Sequence, residues 1–268
     1  QDSVSSSLFQ KRIRDLPPGE KENLLEVRNY SRSKVVKDIS FTIKKGEIFG
    51  IGGLVGSGRT ELVRLLFGLD QKDSGQLVYC GQEITPDTPH QAIRSGIGFL
   101  TEDRKISGLI TTRPIFENIS LVQLAKKTRL FLNLNTEKEK TSELSQKLNV
   151  ETPSISQLVN NLSGGNQQKV VLAKWMFSNS NILIFDEPTV GVDIGAKSHI
   201  YQLMHKIADE GKIIIMVSSD MLELISISDR VGVMRNGRLE DILEKSDINE
   251  ENILRCSLGT YRENKTSN

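Results

Sequence analysis

The chain has 268 residues, with 35 Lys+Arg against 34 Asp+Glu for a formal net charge of +1, and 37% hydrophobic and 26% charged residues. That profile fits a soluble globular protein of one large or two small domains, and the charge balance argues against general affinity for nucleic acid or anionic membrane. The longest apolar run, Ile213 to Val217, is far short of a bilayer span, and Cys80 and Cys256 have no metal-ligand spacing and allow at most one disulfide, so an integral membrane protein and a disulfide scaffold are excluded and a reducing cytoplasm is favoured.

Residues 1–22 read as a linker: they hold Ser5-Ser6-Ser7, the basic run Lys11 to Arg14 and Pro17-Pro18-Gly19, with no apolar period. The chain opens on Gln1 with no secretory signal, and a fragment of a longer protein is expected. Leu25 and Val27 alternate with charged residues as a half-buried strand does, and Ile39, Phe41 and Ile43 mark a second strand. Lys44-Lys45-Gly46 is a turn, and Ile48 to Ile51 is an apolar strand running into a Gly-rich loop. Leu62, Leu65 and Leu66 then repeat at helical spacing up to Gly68, a C′ stop. Leu77-Val78-Tyr79 is a further strand.

The stretch from about 104 to 162 is mostly helical, with a charged helix from Glu137 to Leu148. Val170, Val171, Ala173 and Phe177 place a helix, Ile182 to Phe185 a strand buried on both faces, Ile200 to Ile207 an amphipathic helix, and Ile213 to Val217 another buried strand. Val231, Val233 and Met234, then Asn236-Gly237 and Leu239, read as a closing hairpin, and the tail after about 255 is polar and expected to fray. The fold class is α/β: a mainly parallel sheet preceded by antiparallel strands and interrupted by a helical insertion.

Three segments carry chemistry. Gly53-Leu54-Val55-Gly56-Ser57-Gly58-Arg59-Thr60 follows a strand and opens a helix, the context of a phosphate-binding P-loop. Its glycines turn backbone N–H groups around a phosphate chain, the helix N-terminus adds partial positive charge, and Thr60 offers a hydroxyl to Mg²⁺. Arg59 stands where such loops carry Lys, an exchange that keeps the charge but not the shape. Asp186-Glu187 closes a buried strand, so Asp186 suits a metal and Glu187 can polarise a water, although a carboxylate pair before Pro188 also reads as a helix start. Leu162-Ser163-Gly164-Gly165-Asn166-Gln167-Gln168 exposes a helix N-terminus to an anion, and taken alone it is also an ordinary helix start.

In this order, over residues 24–245, the segments resemble the nucleotide-binding cassette of ABC transporters, a P-loop NTPase (RecA-like) fold with an N-terminal antiparallel β subdomain and an inserted helical subdomain. The finer resemblance is to the second of two fused cassettes in ribose/galactose-type sugar importer ATPases, carried by Gly-Ser-Gly-Arg-Thr at 56–60, Thr-Glu-Asp-Arg-Lys at 101–105, Leu-Ser-Gly-Gly-Asn-Gln-Gln at 162–168, Gly-Val-Asp-Ile-Gly-Ala-Lys at 191–197 and Ser-Ser-Asp at 218–220. It implies an inter-cassette linker at 1–22, a cassette at 23–245 with its helical subdomain at about 104–162, and a C-terminal tail at 246–268. It implies that ATP and Mg²⁺ are bound, with Gly53 to Thr60 as the Walker A loop, Thr60 and Asp186 on the metal, and Glu187 as the water-polarising residue. Glu102 would take the Q-loop position, usually Gln; Leu162, Ser163, Gly164, Gly165 and Asn166 the signature facing a partner's ATP, with Asn166 where Gln is usual; Asp193 the D-loop; and Ser219 the switch position, usually His. Tyr30 is the aromatic candidate for stacking on adenine, and Leu109, Ile110, Ile115, Phe116 and Ile119 are candidates for permease contact.

The implied partners are a first cassette in the same or another chain, membrane permease subunits and, indirectly, a periplasmic or extracellular sugar-binding protein, with no nucleic acid. The implied place is the cytoplasmic face of the plasma (inner) membrane, bound peripherally. Arg59, Glu102 and Ser219 all depart from the usual cassette at one half-site. Its own ATP turnover is therefore expected to be weak, and a regulatory half that only offers its signature to the partner is the alternative.

Overall fold

The computed structural model describes residues 23–126 and 134–261, so the expected linker at 1–22 lies outside the described residues. In chain order the first half comprises β1 (Asn23–Arg32), β2 (Val36–Lys44), β3 (Ile48–Gly53), α1 (Arg59–Leu66), β4 (Ser74–Tyr79), β5 (Gln82–Glu83), α2 (Pro89–Arg94), β6 (Ile97–Leu100), a π-helical turn (Arg104–Gly108), α3 (Ile115–Lys126) and α4 (Leu134–Lys147). The second half comprises α5 (Gly164–Phe177), β7 (Ile182–Asp186), α6 (Ile194–Asp209), β8 (Ile213–Val217), α7 (Met221–Ile227), β9 (Arg230–Arg235), β10 (Arg238–Glu244) and α8 (Glu250–Leu258).

Two sheets form, as the patterning predicts. The opening strands pair antiparallel in the order β2-β1-β4-β5. The larger sheet runs β10-β9-β3-β8-β7-β6, parallel except for the β9–β10 hairpin. Strands β7 and β8 are buried at every position, because both faces of a parallel sheet are covered; a continuous apolar run is the sequence form of that environment. Since β3, β6, β7 and β8 are mutually parallel, the loops after all four leave at the same edge, where an open α/β sheet collects ligand-binding groups. Among the described residues, no helix is long and apolar enough to cross a membrane.

The structure corrects three expectations. Tyr30 is fully buried and cannot stack on a base. A register shift between Val27 and Tyr30, with Asn29 at φ 51°, changes the parity of β1 and turns the ring into the core opposite Ile39. The tail does not fray at 255: Asn249 caps α8 by accepting from Asn252 N at 2.8 Å, Gly259 ends it at φ 82°, and Ile253 and Cys256 pack a buried face against β3, β9 and β10. Residues 262–268 lie outside the described residues. Of the five residues offered for permease contact, Leu109, Ile115 and Ile119 are buried core. Only Ile110 is exposed, and Phe116 is half-buried with the Lys138 ammonium 4.9 Å from its ring centroid.

Candidate functional site

The phosphate loop is built from glycines that the backbone requires. Gly53 has φ 140°, and a Cβ there would stand 2.3 Å from the Met234 carbonyl oxygen, so the neighbouring strand β9 leaves no room for a side chain. Gly58, at φ 101°, precedes α1, and a Cβ there would stand 2.9 Å from the Val35 carbonyl oxygen. Ser57 N donates to Leu54 O at 3.0 Å and Gly237 N donates to Ser57 O at 2.9 Å, so the β9–β10 turn braces the loop from outside. Leu54 and Val55 remain exposed, and α1 points its N-terminus into the open groove.

Arg59 is folded beneath this loop. Its Nη1 donates to Ser218 O at 2.5 Å and its Nη2 lies 4.0 Å from Glu187 Oε1. Thr60 Oγ1 donates to Asp186 Oδ1 at 3.4 Å, bringing together the two residues expected to share a metal. Burial pushes the Asp186 carboxyl up to about 7, reinforced by the Glu187 and Glu102 carboxylates and opposed by Thr60 and Arg59. A buried carboxylate beside a hydroxyl, with two further carboxylates nearby, is a hard-oxygen donor set of the kind Mg²⁺ takes, so these residues fit the ion.

Glu187 adopts φ 50°, a left-handed conformation rare for such a residue, and Ser219 Oγ donates to its Oε2 at 3.1 Å. Glu102, Glu187 and Ser219 line one groove with Val55 to Thr60. The three departures noted in the sequence are therefore neighbours.

The signature segment lies elsewhere. Ser163 caps α5, its hydroxyl accepting from Asn166 N at 3.4 Å and Asn166 Nδ2 at 3.1 Å. Asn166 Oδ1 accepts from Glu151 N at 3.0 Å, and Gln167 Nε2 donates to Val159 O and Leu162 O. Leu162 is buried, while Ser163, Gly165, Asn166 and Asp193 line a second, polar groove that shares no residue with the first. Gly164 and Gly165 form the first turn of the helix, and the Arg104 guanidinium lies against Gly164.

Sequence reasoning missed Glu223. This buried carboxylate on α7 accepts from Thr189 Oγ1 at 3.1 Å and from Ser218 Oγ, tying the segment after Glu187 to the residue before Ser219. Burial raises its carboxyl above the usual range. The spacing Asp220-x-x-Glu223 was a legible helix-start signal, and Asp220 does cap α7 through the amides of Leu222 and Glu223. The inward turn of Glu223 was not legible.

The family model for ABC transporters matches residues 36–190. The ribose import ATP-binding protein RbsA of Clostridium tetani is 46% identical over 237 residues, covering 88% of this chain and 47% of that protein. The protein of the same name from Lactococcus lactis subsp. lactis is 42% identical over 266 residues, covering 96% of this chain and 53% of it. The chain thus spans about half the length of the curated relatives it matches. Among solved structures, the ADP conformation of an ABC-transporter ATP-binding cassette superposes with a TM-score of 0.75 at 19% identity, covering 89% of this chain and all of that one. A dimeric post-hydrolysis cassette bound to ADP and phosphate superposes at 0.71 and 23% identity, covering 83% of this chain and 99% of that one. At these identities the superpositions establish the fold, a P-loop NTPase cassette.

Proposed function

The chain belongs to the ABC transporter family, and from that membership we propose that it is one ATP-hydrolysing cassette of a sugar importer, paired head to tail with a first cassette and coupled to a separate permease. The observation that carries the reading is the division into two grooves: one is lined by Val55 to Thr60 and Glu187, with the Thr60–Asp186 pair beside it, and the other by Ser163, Gly165, Asn166 and Asp193. A cassette whose signature lies apart from its own phosphate loop needs a second cassette to complete either site. The names of the two relatives above, both ribose import ATP-binding proteins, support the substrate class. They lend nothing to the alternative of a regulatory half without turnover.

At the first groove the loop amides and the α1 N-terminus bind the phosphate chain, and Arg59 supplies the positive charge. Bound Mg²⁺, held by Thr60 and Asp186, would offset the phosphate charge. Glu187 orients water, steadied by the Ser219 hydroxyl. The ion pair with Arg59 holds Glu187 back from that task and keeps this half-site slow. Val35, an exposed apolar residue whose carbonyl lies against Gly58, offers the base a surface in place of the buried Tyr30. The signature groove closes over the partner's nucleotide at the cytoplasmic face of the membrane. A sugar-binding protein acts through the permease, and no nucleic acid is involved.

Calorimetry with Mg-ADP and Mg-ATP tests the first half of this reading; no heat at millimolar nucleotide refutes it. The second half predicts that the chain alone turns over far below about 1 s⁻¹, and that adding the first cassette and permease restores ribose-stimulated hydrolysis at ordinary enzyme rates. Fast turnover by the monomer, or an assembly indifferent to sugar, refutes that half.

A further inference from the structure

Arg104 lies outside the nucleotide groove, two residues beyond Glu102, in the π-helical turn Arg104–Gly108. Its Nη1 donates to Val190 O at 3.1 Å and its Nη2 to Gly191 O at 3.3 Å. Both carbonyls belong to the loop that starts at Glu187 and ends at Asp193. The same Nη2 stands 2.8 Å from where a Cβ on Gly164 would be, so the first glycine of the signature helix leaves the space that the guanidinium fills. Its Nε is buried without a hydrogen-bond partner. One side chain therefore joins its own segment to two motifs that lie far from it in sequence.

The turn that carries Arg104 is braced internally. Ser107 Oγ is 2.8 Å from both Thr101 Oγ1 and Asp103 O, and Asp103 Oδ1 accepts from Ile106 N at 3.1 Å. Its far end is tied to α5 by Lys174, whose buried ammonium donates to Gly108 O at 2.5 Å and lies 5.1 Å from the Trp175 ring centroid. The two cations thus hold backbone carbonyls on either side of residues 101–108. Burying a cation is costly, and a π turn is a strained way to run a chain; both features concentrate where position matters more than stability.

We propose that Arg104 is a positioning residue: its two donors clamp Val190 and Gly191 against the start of the signature helix, so that the Asp193 loop, the signature and the segment bearing Glu102 move as one body. The proposal rests on the paired-cassette reading for its consequence in turnover, but not for the clamp itself. A lysine cannot replace the planar fork at two successive carbonyls.

Hydrogen exchange on the chain by itself tests the clamp. Arg104→Met keeps the aliphatic stem and removes both donors. The amides of Val190 and Val192, bonded to Glu187 O and Thr189 O, are expected to exchange about tenfold faster, while those of β7 keep their rate. Arg104→Lys should recover only part of the protection. Unchanged exchange at 190–193, or equal acceleration through β7, overturns the clamp. On the assembled ATPase, Arg104→Met should lower kcat about tenfold with KM for ATP within about twofold, since its partners lie outside the Gly53–Thr60 loop. Lys174→Met should do the same, and the double variant should be no slower than the worse single, because both tie down one unit. A KM rise matching the loss in kcat, or multiplying losses in the double variant, also overturns the proposal. A wild-type assembly that hydrolyses no ATP refutes the functional reading instead, and the exchange result then decides the clamp alone.

Discussion

At position 59 a guanidinium reaches past the phosphate loop to a carbonyl and a carboxylate, Ser218 O and Glu187, which a shorter lysine would not span together. Arg59→Ala removes the charge proposed to meet phosphate. It should weaken Mg-ATP binding about 10- to 100-fold, the weight of a charge-assisted hydrogen bond, as read by calorimetry. Arg59→Lys should keep binding and raise the slow single-turnover rate, because Glu187 is released. Asp186 supports a pH prediction. Its carboxyl is raised from 3.8 to about 7 by burial, so in the metal-free chain the folded state holds a proton that the unfolded state gives up. The stability this brings is complete below about pH 3.8 and is lost as pH rises through about 7. Urea unfolding in a chelator should therefore show Asp186→Asn gaining on wild type from pH 4 to 7, then levelling. A difference that does not vary with pH contradicts the raised carboxyl.

At the scale of elements, the phosphate loop separates glycines that are sterically required from those that are only conformationally favoured. At Gly53 a side chain meets the β9 backbone at 2.3 Å, whereas at Gly56, with φ 78°, it would meet open space. Gly53→Ala should cost about 3–5 kcal/mol from strain and overpacking together, and Gly56→Ala about 1–2 kcal/mol from left-handed backbone alone; urea midpoints compare them. Helix α8 makes a second case. Its face of Ile253 and Cys256 is too short an apolar signal to stand out in a polar segment, yet it covers β3 and β9. Ile253→Ala should cost about 2–4 kcal/mol as a cavity in the core, measurable by thermal melting, where a frayed tail would show no change.

Across the whole molecule the two grooves make the halves of the reaction separable. In a two-cassette ATPase, Ser163→Arg should harm transport more than Glu187→Gln. The first places a bulky cation at the helix start offered to the partner's nucleotide, while the second removes one more group from a site where Arg59 and Ser219 already engage Glu187. Vesicle transport by the two variants checks this, and equal losses would indicate two equivalent motors. What the sequence by itself determined is what depends on local spacing. The Gly53–Thr60 loop, the buried strands β7 and β8, and the meeting of Thr60 with Asp186 follow from strand, turn and helix patterns that must recur wherever a parallel sheet delivers its loops to one edge. Only the tertiary structure decided what depends on parity and on side chains reaching across elements. A one-residue shift in β1 sent Tyr30 into the core, the inward turn of Glu223 joined Thr189 to Ser218, and the long arms of Arg59, Arg104 and Lys174 found carbonyls 159, 86 and 66 residues away in the chain. Burial sets such contacts: a buried polar group must find a partner wherever the packed chain supplies one, and local sequence carries no record of where that is.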